Sequence, residues 1–285
     1  MSEIRSGTTP WFLAAPGAAL LLALVVLPLL LTLVLSFQVY DTSTGVKDEY
    51  TVAHYAAVLT DPYYFAVFWR TLRLAALTTL ICVLIGAPEA YILSRMREPW
   101  RSVFLLVIIG PLLVSVVVRT FGWSMLLGPT GLVNEALQAL GLAKVRLLYT
   151  ETAIVIALVH VMLPFMVIPV WTSLQKLDPV VEAAAWTLGA SRFTALRRVV
   201  MPQVTMGLLS GILVVFGLSA SAFAIPGLLG GRRLKVAATL VYDEYMHELN
   251  WPMGAAIAVV VLVANLAIML ACHRAVELRA RRTLG

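Results

Sequence analysis

Long apolar runs alternate with short polar connections along most of the chain. Six of these runs exceed the roughly 18 residues that indicate a membrane-spanning helix. The alternating segments of about 10 residues that are typical of a membrane β-barrel do not occur in the sequence. We therefore predict an all-α membrane protein that forms a single transmembrane domain over residues 1–285. Its spans are predicted at about residues 11–37, 72–94, 102–127, 150–174, 205–230 and 252–273.

The first run is expected to remain as a span, because the apolar core of a signal peptide is only about 7–15 residues long. Lysine and arginine predict the orientation, since cytoplasmic connections carry an excess of both. With the N-terminus inside, 12 of the 21 basic residues fall in the inner connections, although these are the shorter ones. We expect both termini and residues 175–204 to be cytoplasmic.

Composition supports a membrane protein and narrows the choice of function. Hydrophobic residues make up 61% and charged residues 13% of the 285, against about 25% charged residues in soluble domains. The net charge of +6 is expected to reflect the orientation of the protein in the membrane and contacts of basic side chains with lipid headgroups. Nucleic acid is not an expected partner, because no basic patch carries interleaved aromatic residues. Cys82 and Cys272 lie in predicted spans, where we expect small core residues rather than a disulfide framework or a metal site.

A polar segment separates the fourth and fifth spans, and residues 182–202 of it read EAAAWTLGASRFTALRRVVMP. Asp178 would cap one helix and Pro179 would occupy its first position, and Gly189 would end it. Ser191 would cap a second helix over residues 192–200. The pattern predicts a helix–turn–helix. An amphipathic hairpin that lies on the headgroups, with Arg197 and Arg198 at lipid phosphates, explains the same residues equally well.

At these residues the chain resembles the EAA loop of ABC-importer permease subunits, in which a glycine follows Glu-Ala-Ala and a proline ends the loop. The usual pattern places the glutamate six residues before the glycine. Here Ala183 holds that position, and Glu182 lies one residue earlier. Four further segments are similar to the spermidine/putrescine branch of these permeases, namely residues 113–134, 147–179, 223–231 and 250–256.

The resemblance implies a permease subunit of an ATP-driven importer in a bacterial inner membrane, with a cytoplasmic coupling helix between spans 4 and 5. It implies as partners a second permease subunit, two ATPase subunits and an extracytoplasmic solute-binding protein. We expect ATP and Mg²⁺ in the ATPase and no cofactor on this chain, because it has no G-x-x-x-x-G-K-[ST] loop. The residues expected to couple to the ATPase are Glu182, Ala184, Ala185, Trp186, Leu188, Gly189, Arg192, Arg197 and Pro202.

The translocation path is expected at the interface with the second permease, lined by spans three to five. Its candidate residues are Arg119, Trp123, His160, Ser219, Ser221 and Pro226. Small residues at 217–227 are equally consistent with tight helix packing, and Arg119 is equally consistent with a side chain that snorkels to the interface. The resemblance implies a polyamine substrate. However, residues 217–227 contain no acid and Arg119 would repel a polycation, so an anionic or zwitterionic solute, such as an amino-acid derivative, stays open.

An intramembrane enzyme that uses His160 and Glu89 is the rival class of function. No H-E-x-x-H or G-x-S-x-G motif accompanies these residues. A packed histidine explains His160 without catalysis, and a partner such as Arg95 or a water-facing position explains Glu89. We therefore expect a transport subunit rather than an enzyme.

Overall fold

The computed structural model of the chain describes residues 9–284, and it describes side chains for residues 15–278 except Pro179 and Arg232. Residues 1–8 and Gly285, on which the predicted placement of the termini partly rests, lie outside the described residues. Helices dominate, as predicted. The long ones are α1 (Thr9–Leu35), α3 (Pro62–Arg95), α7 (Glu151–Gln175), α10 (Met201–Ala220) and α13 (Trp251–Leu284), and the shorter ones are α2 (Ala53–Thr60), α4 (Trp100–Ile109), α5 (Val116–Leu126), α6 (Leu132–Ala139), α8 (Pro179–Thr187), α9 (Arg192–Ala195), α11 (Ala224–Leu229) and α12 (Ala237–Met246).

Within the described residues, five helical segments are long and apolar enough to cross a membrane. A sixth span results if two consecutive segments, Trp100–Leu113 and Val116–Leu126, are counted together. These segments meet at an angle of 98°, so the predicted third span is a sharply bent pair. The bend follows a 3₁₀ turn that contains Pro111, after which Val114 and Ser115 adopt extended ψ values of 136° and 137°. Proline cannot donate a backbone hydrogen bond, and it commonly marks such a break.

The fifth span differs from its predicted limits of 205–230 at both ends. Its helical segment begins at Arg192, because a π-helical turn over Leu196–Val200 connects α9 to α10 without a break. In that turn the N–H of Met201 donates to the carbonyl of Leu196, and the helix continues past Pro202. The helix ends at Ala220. Pro226 therefore lies in the separate short helix α11 rather than inside the span, and this corrects the sequence prediction.

The core of the spans is formed by α3, α7 and α10, which pack against one another. Met166 of α7 is fully buried between a glycine of each neighbouring helix. A Cβ atom on Gly86 would lie 2.9 Å from Met166 Cγ, and one on Gly211 would lie 2.7 Å from Met166 Sδ. Small residues allow helices to approach this closely in a membrane.

The chain divides into two compact units, one formed by residues up to Asp61 with Val241–Val260 and the other by Pro62–Leu240 with the residues from Val261 onward. In the first unit, β1 (Gln38–Asp41) and β2 (Gly45–Tyr50) form an antiparallel hairpin. The Lys47 ammonium donates to the Asp41 carboxylate at 2.7 Å across this hairpin. All candidate site residues lie in the second unit.

Candidate functional site

The polar segment between α7 and α10 folds into the predicted helix–turn–helix. Asp178 Oδ1 accepts a hydrogen bond from the Val180 amide at 2.9 Å and begins α8. Gly189 adopts a φ of +82°, which favours glycine, and it ends the helix. Ser191 Oγ then accepts from the Thr194 amide at 3.2 Å and caps α9. Local capping thus sets both helix starts and the turn between them.

The carboxylate of Glu182 points into the protein rather than toward the exposed side of this loop. Glu182 is only 2% exposed. Its Oε1 accepts a hydrogen bond from the Tyr91 hydroxyl at 3.1 Å, and its Oε2 is ion-paired with the Arg95 guanidinium. Arg95 Cζ also lies 5.3 Å from the centroid of the Tyr91 ring. The glutamate of the loop is thus bound to the end of α3.

The exposed side of the loop is apolar and basic. Trp186 is 47% exposed, Leu188 is 88% exposed and Phe193 is 71% exposed. Arg192 and Arg197 are also exposed. Of the other predicted coupling residues, Ala184 and Pro202 are exposed and Ala185 is half-buried. A cleft of about 490 Å³ opens beside α8, lined by Tyr91, Arg95, Glu182, Trp186, Arg192, Phe193 and Leu196.

Sequence reasoning did not find the part that α3 plays in this site. Tyr91 and Arg95 are four residues apart, so they lie on one face of α3, and both reach Glu182. The sequence interpretation offered Arg95 as a partner for Glu89, and the structure corrects this. Glu89 Oε2 is buried and has no hydrogen-bond partner among the described residues.

The predicted path residues lie on neighbouring elements, because α11 packs against α5 and α7. Trp123 of α5 donates its indole N–H to Nδ1 of His160 on α7 at 3.2 Å, and the two rings meet edge to face. Nδ1 of His160 is the acceptor in this bond, because an indole N–H can only donate. One turn before Trp123, Nε and Nη1 of Arg119 are buried without a hydrogen-bond partner in the described part of the chain.

The remaining path candidates surround the break after α10. Ser219 is buried, and its hydroxyl has no partner among the described residues. Ser221 is exposed, and its hydroxyl donates to the carbonyl of Gly217 at 2.9 Å. Pro226 is buried in α11. Within the described residues, no group of three or more His, Cys, Asp or Glu side chains could hold a metal ion.

Comparison with known proteins gives a family match and relatives that align over most of the chain. Residues 90–282 match the family described as "Binding-protein-dependent transport system inner membrane component". The spermidine/putrescine transport system permease protein PotB of Haemophilus influenzae is 32% identical over 264 residues, which cover 92% of each chain. The sulfate transport system permease protein CysT of Salmonella typhimurium is 28% identical over 279 residues, which cover 97% of this chain and 96% of CysT.

A solved structure with the same fold comes from a bacterial ABC transporter involved in the import of the acidic polysaccharide alginate. The two chains superpose with a TM-score of 0.80 at 17% sequence identity. The superposition covers 95% of this chain and 96% of the other.

Proposed function

The chain belongs to the family of binding-protein-dependent transport system inner membrane components, and we propose that its importer takes up a polyamine such as spermidine or putrescine. It is a permease, that is, a transport subunit of an ABC importer rather than an enzyme. The observation that carries the proposed substrate is the 32% identity to PotB over 92% of both chains. As its partners we propose a second permease subunit, two ATPase subunits that bind ATP and Mg²⁺, and an extracytoplasmic solute-binding protein.

The helix–turn–helix between α7 and α10 is proposed as the contact with the ATPase. Trp186 and Leu188 expose large apolar side chains outside the long apolar spans, and Phe193 exposes one in the first turn of the fifth span. Full burial of one such side chain contributes about 1.5–3 kcal/mol, so a cleft that covers three of them would bind the loop firmly. Arg192 and Arg197 would pair with carboxylates at the rim of the cleft. This assignment places residues 175–204 and both termini in the cytoplasm.

The proposed path follows α5, α7, α10 and α11, which hold five of the six candidate residues, and the sixth, Ser221, lies in the break after α10. A polyamine needs carboxylates and aromatic faces. Trp123 supplies an aromatic ring, whereas Arg119 supplies only donors. We infer that the carboxylates facing a polyamine come from the second permease subunit and the solute-binding protein.

An anionic solute is the second candidate. It is favoured by the buried donors of Arg119 that have no partner among the described residues, and by the similarity to a sulfate permease. A bound anion would satisfy those donors directly, because a buried charge is stabilised by a hydrogen-bonded partner of opposite sign.

The experiment is solute-stimulated ATP hydrolysis by the complete importer in proteoliposomes with its own solute-binding protein. Spermidine, putrescine, sulfate and an amino acid are compared at equal concentration. The proposal predicts that a polyamine gives the strongest stimulation. Stimulation by sulfate or the amino acid, without any by a polyamine, would replace the polyamine with the second candidate. Hydrolysis that responds to no solute, even one the binding protein is shown to bind, would contradict the importer itself.

A further inference from the structure

We propose that Glu182 is a positioning residue that acts inside this chain, holding α8 against the end of α3. The proposal rests on the function proposed above for the loop that contains α8. It follows that a movement of this loop is passed directly to α3, and that the ATPase meets an apolar and basic surface instead of the glutamate.

Within the described residues, both carboxylate oxygens of Glu182 interact with side chains of α3. Tyr91 donates to one carboxylate oxygen and Arg95 is paired with the other. The carboxylate is almost fully buried, and a buried charge is stable only when it is paired and hydrogen-bonded. Releasing Glu182 to contact another protein would break both interactions and leave the Arg95 guanidinium without this partner.

The pair is a separate connection between the loop and the bundle of spans. Along the chain, α8 is joined to α7 on one side and to α9 on the other. Glu182 and Arg95 are 87 residues apart in the sequence, so their interaction adds an attachment to a different helix. Because α3 packs against both α7 and α10, a displacement of α8 would be transmitted to all three core helices.

Because Glu182 is buried, it does not contribute its charge to the exposed surface of the loop. Between residues 176 and 200, the exposed acidic side chain is Asp178 at the start of α8. The exposed basic side chains in the same segment are Lys176, Arg192, Arg197 and Arg198. The surface that fits this loop is therefore an apolar cleft with an acidic rim.

A charge exchange in the complete importer tests the proposal. The variants are Glu182→Arg, Arg95→Glu and the two together. Each single variant brings two like charges together, one of them at the buried position 182. We expect the stimulation of ATP hydrolysis by solute-loaded binding protein to fall about tenfold, as is common for coupling between sites. The ATPase subunits should still co-purify, because the exposed apolar residues of the loop are unchanged. The double variant should recover to within about threefold of the wild type, which a double-mutant cycle attributes to the pair.

Two outcomes would overturn the proposal. One is stimulation of ATP hydrolysis in the double variant that is no higher than in the less active of the two single variants. The other is normal stimulation in Arg95→Glu, because Glu182 would then have its essential partner elsewhere. If the single variants fail to assemble, the yield of assembled importer replaces hydrolysis in the same comparison. Leu188→Asp is examined in parallel, and if it keeps the ATPase bound, the proposed docking of the loop fails whatever the exchange shows.

Discussion

The indole N–H of Trp123 donates to Nδ1 of His160 and joins the bent helix pair to α7. We predict that Trp123→Phe leaves Nδ1 without this donor and lowers the free energy of unfolding by about 1 kcal/mol, the usual contribution of one hydrogen bond. The measurement is thermal unfolding of the purified importer. Trp69→Phe, which changes an exposed tryptophan of α3, is the control and should unfold like the wild type. Equal unfolding temperatures for both variants would mean that the Trp123–His160 hydrogen bond contributes nothing.

Thr71 connects α3 to the start of α12. Its buried hydroxyl donates to the carbonyl of Val67 and accepts from the amide of Ala237 at 2.9 Å. Thr71→Val keeps the shape but leaves that buried amide without an acceptor, which costs about 1–3 kcal/mol. We expect a lower unfolding temperature and faster hydrogen exchange at Ala237. Thr172→Val is the matched control, because the exposed Thr172 hydroxyl bonds within its own helix. Hydrogen exchange at Ala237 that is no faster in Thr71→Val than in Thr172→Val would contradict this prediction.

Close packing of α7 and α10 depends on Gly207. A Cβ atom there would lie 2.5 Å from Ser173 Cβ and 2.7 Å from the carbonyl oxygen of Pro169. Because a backbone atom cannot rotate away, Gly207→Ala must separate the helices, and we expect a loss of about 1–3 kcal/mol in stability. Thermal unfolding measures the loss. Gly17→Ala in α1, where no atom lies within 4 Å of the added Cβ, should not destabilise the protein. An unchanged midpoint in Gly207→Ala would show that these helices are not held this tightly.

Local signals were sufficient to predict the loop, because caps and turns depend on residues only a few positions apart. Asp178 and Gly189 lie where the sequence predicted the start and end of α8. The partner of Glu182 could not be predicted in this way, since Arg95 is distant in the sequence and is placed by the packing of whole helices. Hydropathy did not reveal the bend before Val116 or the break after Ala220, because both lie within continuous apolar sequence. Pro111 was the sequence signal for the bend, since a proline inside a membrane helix favours a kink.

Leu188 is the most exposed large apolar residue of the loop, and we expect it to contact the ATPase. Leu188→Asp places a charge in the proposed apolar contact, and one desolvated, unpaired charge outweighs the apolar gain of that side chain. Co-purification of the ATPase subunits should fall by about tenfold or more, since a factor of ten needs only about 1.4 kcal/mol. The control is Leu140→Asp, at a leucine that is 75% exposed at the end of α6. Equal co-purification in the two variants would exclude Leu188 from the contact.

ATP-driven uptake by the Gly189→Asp importer tests the central claim most directly. Gly189 has a φ of +82° and no atom within 4 Å of an added Cβ, so the aspartate reaches the exposed surface of the loop. Gly141→Asp is matched, with a φ of +75° and equally open surroundings between α6 and α7. We predict that Gly189→Asp abolishes uptake and releases the ATPase subunits, while Gly141→Asp retains both. Uptake and ATPase binding that survive in Gly189→Asp would show that this loop does not couple ATP hydrolysis to the spans.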